Sequence, residues 1–222
     1  MSYLRATFEM EPRAPGSPGA VSNWCSAPGK RALDLLCTIP ALIALAPLML
    51  LIGAGVRLSS GSPVLFRQKR FGRDGYAFDC IKFRTMTLSA GAGVTQAGDA
   101  RVTGLGRILR KWKLDELPQL INVIRGEMSL VGPRPDLPEF INELDKASYR
   151  SLALLTPGIT GWATLHFRHE EELLANIPQE ELRFYYVQKV LPRKVELDLD
   201  YASRATLRSD LMILLRTVKA IL

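Results

Sequence analysis

The chain has 222 residues, a net charge of +7, a mean hydropathy of +0.07 and three cysteines, Cys25, Cys37 and Cys80. That length can bury a core of its own. An odd cysteine count without CxxC spacing excludes a disulfide framework and a structural zinc site, and fits a reducing compartment. The charge is concentrated: between Arg57 and Lys113 twelve Lys or Arg stand against Asp74, Asp79 and Asp99. Such a block suits either an anionic lipid surface or a pocket for phosphates. Nucleic acid is disfavoured, because no recognised binding motif accompanies the charge.

In chain order, residues 1–29 are rich in Pro, Gly, Ser and Ala without periodicity and read as a disordered leader. From Leu35 to Val56 no residue is charged. As a straight helix this run would measure about 33 Å, enough for a hydrocarbon core of about 30 Å. Pro40 and Pro47 lie inside it, however, and Pro47 removes a backbone hydrogen bond near its middle. Both flanks are basic, Lys30 and Arg31 before, Arg57, Arg67, Lys69 and Arg70 after, so the positive-inside rule gives the two ends the same side. These features predict a re-entrant membrane hairpin over 30–58 that breaks at Pro47, in preference to a straight span.

Residues 59–165 read as a folded domain of mixed α/β (α+β) type with short strands and interfacial helices. Pro63 to Gln68 and Tyr76 to Phe83 read as strands joined by a turn at Gly72-Arg-Asp-Gly75. Thr87 to Ala100, with three Gly and four Ala, reads as a loop, either a lid or a plain surface segment. Helical patterning returns at Leu105–Trp112 and after Asp115. Residues 166–222 form a helical region. In it Leu207, Leu211, Leu214, Leu215 and Val218 recur at helical spacing among Arg208, Arg216 and Lys219. A basic amphipathic helix at a membrane interface and a core-facing helix share this pattern. Glu170 to Glu172 read as a solvated face, and His166 with His169 lack a third metal ligand at known spacing.

The densest cluster of reactive side chains centres on Asp115-Glu116, preceded by Arg101, Arg107, Arg110, Lys111 and Lys113. One reading is N-capping, with Asp115 opening a new helix. The other is chemical: a carboxylate kept ionised among arginines attacks phosphorus, and its neighbour helps hold Mg²⁺ against a diphosphate. Val131-Gly-Pro-Arg-Pro135 supplies a stiff turn that presents Arg134 for bidentate phosphate contact.

Four segments together carry a resemblance: Lys82-Phe-Arg-Thr-Met86, Asp99-x-Arg101-x-Thr103, Leu114-Asp-Glu-Leu-Pro-Gln-Leu-Ile-Asn-Val123, and Gly126-Glu-Met-Ser-Leu-Val-Gly-Pro-Arg-Pro135. From Lys30 to about Gly161 the chain resembles the bacterial sugar transferase family, and more narrowly its monotopic phosphoglycosyl transferases. The resemblance implies a re-entrant helix broken at Pro47 and a catalytic domain on the cytoplasmic face of the bacterial inner membrane. It also implies transfer of a sugar-1-phosphate from a UDP-sugar to polyprenyl (undecaprenyl) phosphate. Asp115 would attack the donor and release UMP, and Asp115 with Glu116 would bind Mg²⁺. Lys82, Arg84, Arg101, Arg110 and Arg134 would hold phosphate groups. The family commonly has Ser before the membrane proline where this chain has Ala46, and Trp162-Ala-Thr-Leu-His-Phe-Arg departs from its usual pattern. The sugar, the polyprenol and any homo-oligomer stay open. A non-catalytic, membrane-tethered module that binds anionic lipid is the alternative; it gives Asp115, Glu116 and Arg134 no role.

Overall fold

The computed structural model describes residues 21–87 and 96–221. Most of the expected leader, up to residue 20, and most of the expected loop over 87–100 lie outside them. The end of the leader is packed against the other end of the chain. Ser22 donates through Oγ to the Ala205 carbonyl (2.7 Å) and through N–H to that of Ala202 (2.8 Å), and a 3₁₀ turn follows over Asn23–Ser26.

Helix α1, Pro28–Ser60, then runs as one hydrogen-bonded helix with Pro40 and Pro47 inside it. Pro28, in its first turn, gives up an N–H that had no helical acceptor. Among the described residues it is the one helix long and apolar enough to cross a membrane. Its buried positions lie toward its two ends, Lys30, Asp34 and Thr38 at one and Ile52 and Val56 at the other. Leu36, on the outer side of the first group, and Ile43, Leu50 and Leu51 between the two groups are each more than 70% exposed.

Both ends dock on the same folded body. At the start, Lys30 Nζ reaches Asp210 Oδ2 (2.6 Å) and Arg31 donates to the carbonyls of Val123 (2.6 Å) and Ile124 (2.8 Å). Asp34 Oδ1 accepts from the Leu130 N–H (2.9 Å) and the Ser129 hydroxyl (3.0 Å). At the far end Ile52 and Val56 pack with Phe83 and Leu109.

Strands β1 (Leu65–Phe71) and β2 (Ala77–Phe83) form the expected antiparallel hairpin, with Leu65 opposite Phe83 and Phe71 opposite Ala77. Its turn puts Asp74 and Gly75 at positive φ, 58° and 78°, which the Asp-Gly pair tolerates. Helix α2 (Gly104–Lys111), N-capped by Thr103, and helix α3 (Gln119–Arg125), ended by Gly126 at φ 81°, flank a 3₁₀ turn over Leu114–Glu116. Strand β3 (Ser129–Val131) pairs in parallel with β4 (Gly158–Thr160). Between them come α4 (Pro138–Ile141) and α5 (Lys146–Ala153).

The remainder is helical: α6 (Trp162–His166), α7 (Glu170–Leu174), α8 (Leu182–Tyr185), a π turn over Tyr186–Val190, α9 (Leu191–Arg204) and α10 (Leu207–Ile221). The mixed α/β expectation holds as a mainly helical body with, among the described residues, two small two-stranded sheets. The largest core cluster takes Phe71, Leu137, Phe140 and Leu152 together with Leu174, Leu182, Tyr186 and Val190. It therefore bridges the boundary expected at 165, because the short helices on either side cannot bury their apolar faces separately. Helix α10 has an inward face and an exposed apolar one. Ile213 and Asp210 face inward, and the Thr217 hydroxyl meets that of Thr160 (2.7 Å), while Leu207, Leu211, Leu215 and Val218 stand exposed along one stripe.

Candidate active site

Residue Lys113 adopts the left-handed conformation (φ 54°) just after α2, and this tight reversal turns the chain so that Asp115 and Glu116 both point into the body. The two carboxylates are 7% and 8% exposed. Helix α3 starts only at Gln119, with Pro118 before it and no side chain capping it, so the capping role expected for Asp115 is not what the fold uses.

Two expected residues, Lys82 and Arg134, meet at Glu116. Its Oε1 accepts from Lys82 Nζ (3.0 Å), carried in by β2, and from Arg134 Nη2 (2.5 Å); Arg134 Nη1 lies 3.4 Å from Oε2. Burial alone would raise the Glu116 carboxyl, but the charges of Arg134 and Lys82 outweigh it and hold the group well below the usual carboxylate range. Asp115 differs. Its Oδ1 is buried and has no hydrogen-bond partner. Burial, and then the charge of Glu116, raise its pKa against the pull of Lys82, Arg110 and Lys113. With Lys82 and Arg134 engaged by Glu116, the nearby cations pull the Asp115 carboxyl down by less than burial and Glu116 push it up.

The other expected phosphate contacts separate. Arg110 Nη2 is paired with Glu171 of α7 at 2.5 Å. Arg101 grips Asp99 with both Nε and Nη2, at 2.6 to 3.1 Å, and Asp99 also feels the charge of Arg110, so this pair sits on the rim of the cluster. Arg84 stands apart. It is 5% exposed and donates to the carbonyls of Ser60, Gly61 and Ser62, closing the end of α1. A guanidinium with its terminal nitrogens committed to three backbone acceptors is a helix-end clamp rather than a phosphate ligand.

Glu170 and Glu171 are not the solvated face their run suggests: one is 3.1 Å from Lys194 Nζ and the other holds Arg110. The residues that sequence reasoning missed are Asp136, Tyr186, Lys194 and Asp198. Lys194 is buried against the Tyr186 hydroxyl (2.8 Å) and Asp136 (3.6 Å), and that hydroxyl donates to Asp136 (2.7 Å). A signal existed: Lys194 and Asp198 fall on the same helical face as Leu191, Val195 and Ala202.

Among the described residues no three His, Cys, Asp or Glu side chains gather as metal ligands, and His166 is used locally against the Trp162 carbonyl (2.9 Å). A partnerless, buried Asp115 oxygen beside Glu116 does suit Mg²⁺, which takes hard oxygen ligands from one or two carboxylates plus substrate phosphates.

The family description "Bacterial sugar transferase" matches residues 25–222. The chain belongs to the bacterial sugar transferase family. The match continues to residue 222, well past Gly161 where the recognisable motifs thin out. Among this member's curated relatives is the exopolysaccharide production protein ExoY of Sinorhizobium fredii, 35% identical across 86% of this chain and 84% of its own length. The UDP-glucose:undecaprenyl-phosphate glucose-1-phosphate transferase of Xanthomonas campestris pv. campestris is 39% identical over 87% of this chain. The UDP-N-acetylgalactosamine-undecaprenyl-phosphate N-acetylgalactosaminephosphotransferase of Aeromonas hydrophila is 34% identical, also over 87%. This chain spans only 38% and 43% of the length of those last two proteins.

Proposed function

We propose that the chain is a membrane-bound phosphoglycosyl transferase that moves a sugar-1-phosphate from a UDP-sugar to a polyprenyl phosphate such as undecaprenyl phosphate. The observation that carries this reading is the division of labour in the dyad: Glu116 is pinned by Lys82 and Arg134, while Asp115 keeps a buried oxygen without a partner. The activities for which the Xanthomonas and Aeromonas relatives are named support this reaction class.

In this scheme Asp115 Oδ1 attacks the sugar-bearing phosphorus of the donor. A P–O bond forms to the carboxylate, the P–O bond to UMP breaks, and UMP leaves with the electron pair. A phosphate oxygen of the polyprenyl phosphate then attacks the same phosphorus, forming the lipid diphospho-sugar and restoring the Asp115 carboxylate. Arg134 and Lys82 keep Glu116 charged and aimed, and on donor binding they are placed to share their donors with phosphate oxygens. Arg110 reaches the phosphates by leaving Glu171. Mg²⁺ held by Asp115 and Glu116 would neutralise diphosphate charge.

The re-entrant reading of α1 is part of the proposal. A straight helix of 33 residues would be about 50 Å long and carry its ends to opposite faces of a bilayer. Lys30, Arg31 and Asp34 at one end and Ile52 and Val56 at the other contact one folded body, which favours entry and return on the same face. With basic flanks that face is cytoplasmic. The exposed stripe of α10 would lie in the headgroup region of the inner membrane.

The test is UMP release by the detergent-purified chain with polyprenyl phosphate, Mg²⁺ and a panel of UDP-sugars. Turnover that is specific to one donor and lost in Asp115→Asn is expected, with retention of a donor-derived phosphosugar on the wild-type protein when acceptor is withheld. Near-normal turnover by Asp115→Asn would overturn the covalent scheme.

A further inference from the structure

Helix α9 buries the ammonium of Lys194, which is 3% exposed, against two segments that are distant from each other in the chain. On one side Nζ lies 3.6 Å from Asp136 Oδ2 and donates to the Tyr186 hydroxyl (2.8 Å), which donates in turn to Asp136 Oδ1 (2.7 Å). On the other side it lies 3.1 Å from Glu170 Oε2. Both segments lead directly to the dyad's cations. Asp136 follows Arg134 by two positions, and Glu170 immediately precedes Glu171, the partner of Arg110.

The backbone between these points is stiff enough to pass the anchorage on. Pro133 and Pro135 fix φ on either side of Arg134. The turn's carbonyls are held as well: that of Pro133 accepts from the Gly158 N–H (2.8 Å), that of Pro135 from Arg70 (3.3 Å) and that of Asp136 from the Phe71 N–H (2.9 Å). On α7 the Glu171 carbonyl accepts from the Ala97 N–H (3.1 Å). An ammonium this deeply buried is costly. Burial alone would strip its proton, but the charges of Asp136 and Glu170 outweigh burial and keep it charged. Without it, the two carboxylates it joins are left to repel each other.

We propose that Lys194 is a positioning residue for the transfer reaction: by binding Asp136 and Glu170 together it fixes the Arg134 turn relative to α7, and so sets the spacing between Arg134 and the Arg110 that Glu171 holds. This rests on the transferase reading above, in which both guanidiniums serve the donor's phosphates, and Lys194 itself touches no substrate. Lys194→Met keeps much of the side-chain length and removes the charge, so both arms are lost together. Glu170→Gln breaks only the arm to α7 and leaves Lys194 on Asp136 and Tyr186.

Misplacing a group by about 1 Å can cost about a hundredfold in rate. The expected result for Lys194→Met is accordingly a fall in kcat of about tenfold to a hundredfold, with donor KM within about threefold of wild type. Glu170→Gln should lower kcat by about threefold to tenfold. In an Arg110→Ala background, followed over hours with radiolabelled donor, the Glu170→Gln loss shrinks to less than about twofold, because that arm has no guanidinium left to place. Hydrogen exchange supplies a readout free of turnover: Lys194→Met loses protection both at the Phe71 amide and over 170–175, Glu170→Gln over 170–175 only, and each keeps it in α9. A folded Lys194→Met with kcat within about threefold of wild type would overturn the inference. So would an equal Glu170→Gln loss with and without Arg110, and that cycle decides the matter should Lys194→Met fail to fold. A wild-type chain that turns over no donor would sink the transferase reading instead, and the exchange data would still decide whether Lys194 ties the two segments together.

Discussion

The carboxylate of Asp210 offers a severe test of how the two ends of the chain are joined. It is fully buried and accepts from Lys30 Nζ at 2.6 Å, from Trp24 Nε1 at 2.9 Å and from the Tyr201 hydroxyl. Asp210→Ala leaves the Lys30 ammonium, itself 6% exposed, without its counter-ion in a dry site. Breaking a buried pair in this way costs about 3–5 kcal/mol, out of a total stability of about 5–15 kcal/mol. For a chain of this size that corresponds to a fall in Tm of roughly 10 °C. Lys30→Met should cost a comparable amount, because it leaves the carboxylate with two neutral donors. The double variant Lys30→Met/Asp210→Leu removes both charges, keeps the volume, and is expected to recover at least about 2 kcal/mol relative to the sum of the single losses. The assay is denaturant unfolding in mild-detergent micelles, followed by near-UV circular dichroism. A loss below about 1 kcal/mol in Asp210→Ala, or a double variant no better than the sum, would refute the account of this site as a paired buried charge.

Three further outcomes follow from the packing. Arg84→Met should free the end of α1, with a loss of about 2 kcal/mol and raised proteolytic cutting near Gly61, while donor KM stays within about twofold; a large rise in KM would return Arg84 to the phosphate site. Asp198 has a folded pKa near 7 against an ordinary 3.8, so its stabilising contribution is complete below pH 4 and is lost as pH rises through 7. That gap is worth at most roughly 4 kcal/mol. Asp198→Asn should therefore flatten this part of the stability profile between pH 4 and 8, and an unchanged slope would contradict it. Leu215→Glu with Val218→Glu should weaken association of the protein with anionic vesicles by at least about tenfold without changing its detergent-phase fold; unchanged partitioning would mean that the exposed stripe of α10 is not in the interface.

The elements governed by local chemistry were the legible ones. The β1–β2 hairpin could be read from alternation and from Asp74-Gly75, and the meeting of Lys82, Glu116 and Arg134 from motifs that keep their order. Arg84 was misread because a guanidinium near a basic cluster looks the same whether it holds a phosphate or three carbonyls; only the path of the chain after Ser60 distinguishes them. Asp115 was read as an N-cap for a similar reason, since the cap position depends on the left-handed turn at Lys113, which that residue type does not announce. Lys194, Asp198 and Asp210 were missed for want of a partner in sequence. Their contacts lie up to 180 positions away, and a helix bearing Lys and Asp passes for a solvated one unless its charges are set against its apolar face.

The pairing of Lys30 with Asp210 also orders events in time. Helix α1 leaves the ribosome carrying an ammonium whose counter-ion lies 180 residues further along the chain. At about 5–20 residues per second that counter-ion is made roughly 10–40 s later. During that interval Trp24, Lys30 and Tyr201 cannot close on Asp210. Closure of this site therefore waits for α10, whose arrival locks α1 in place.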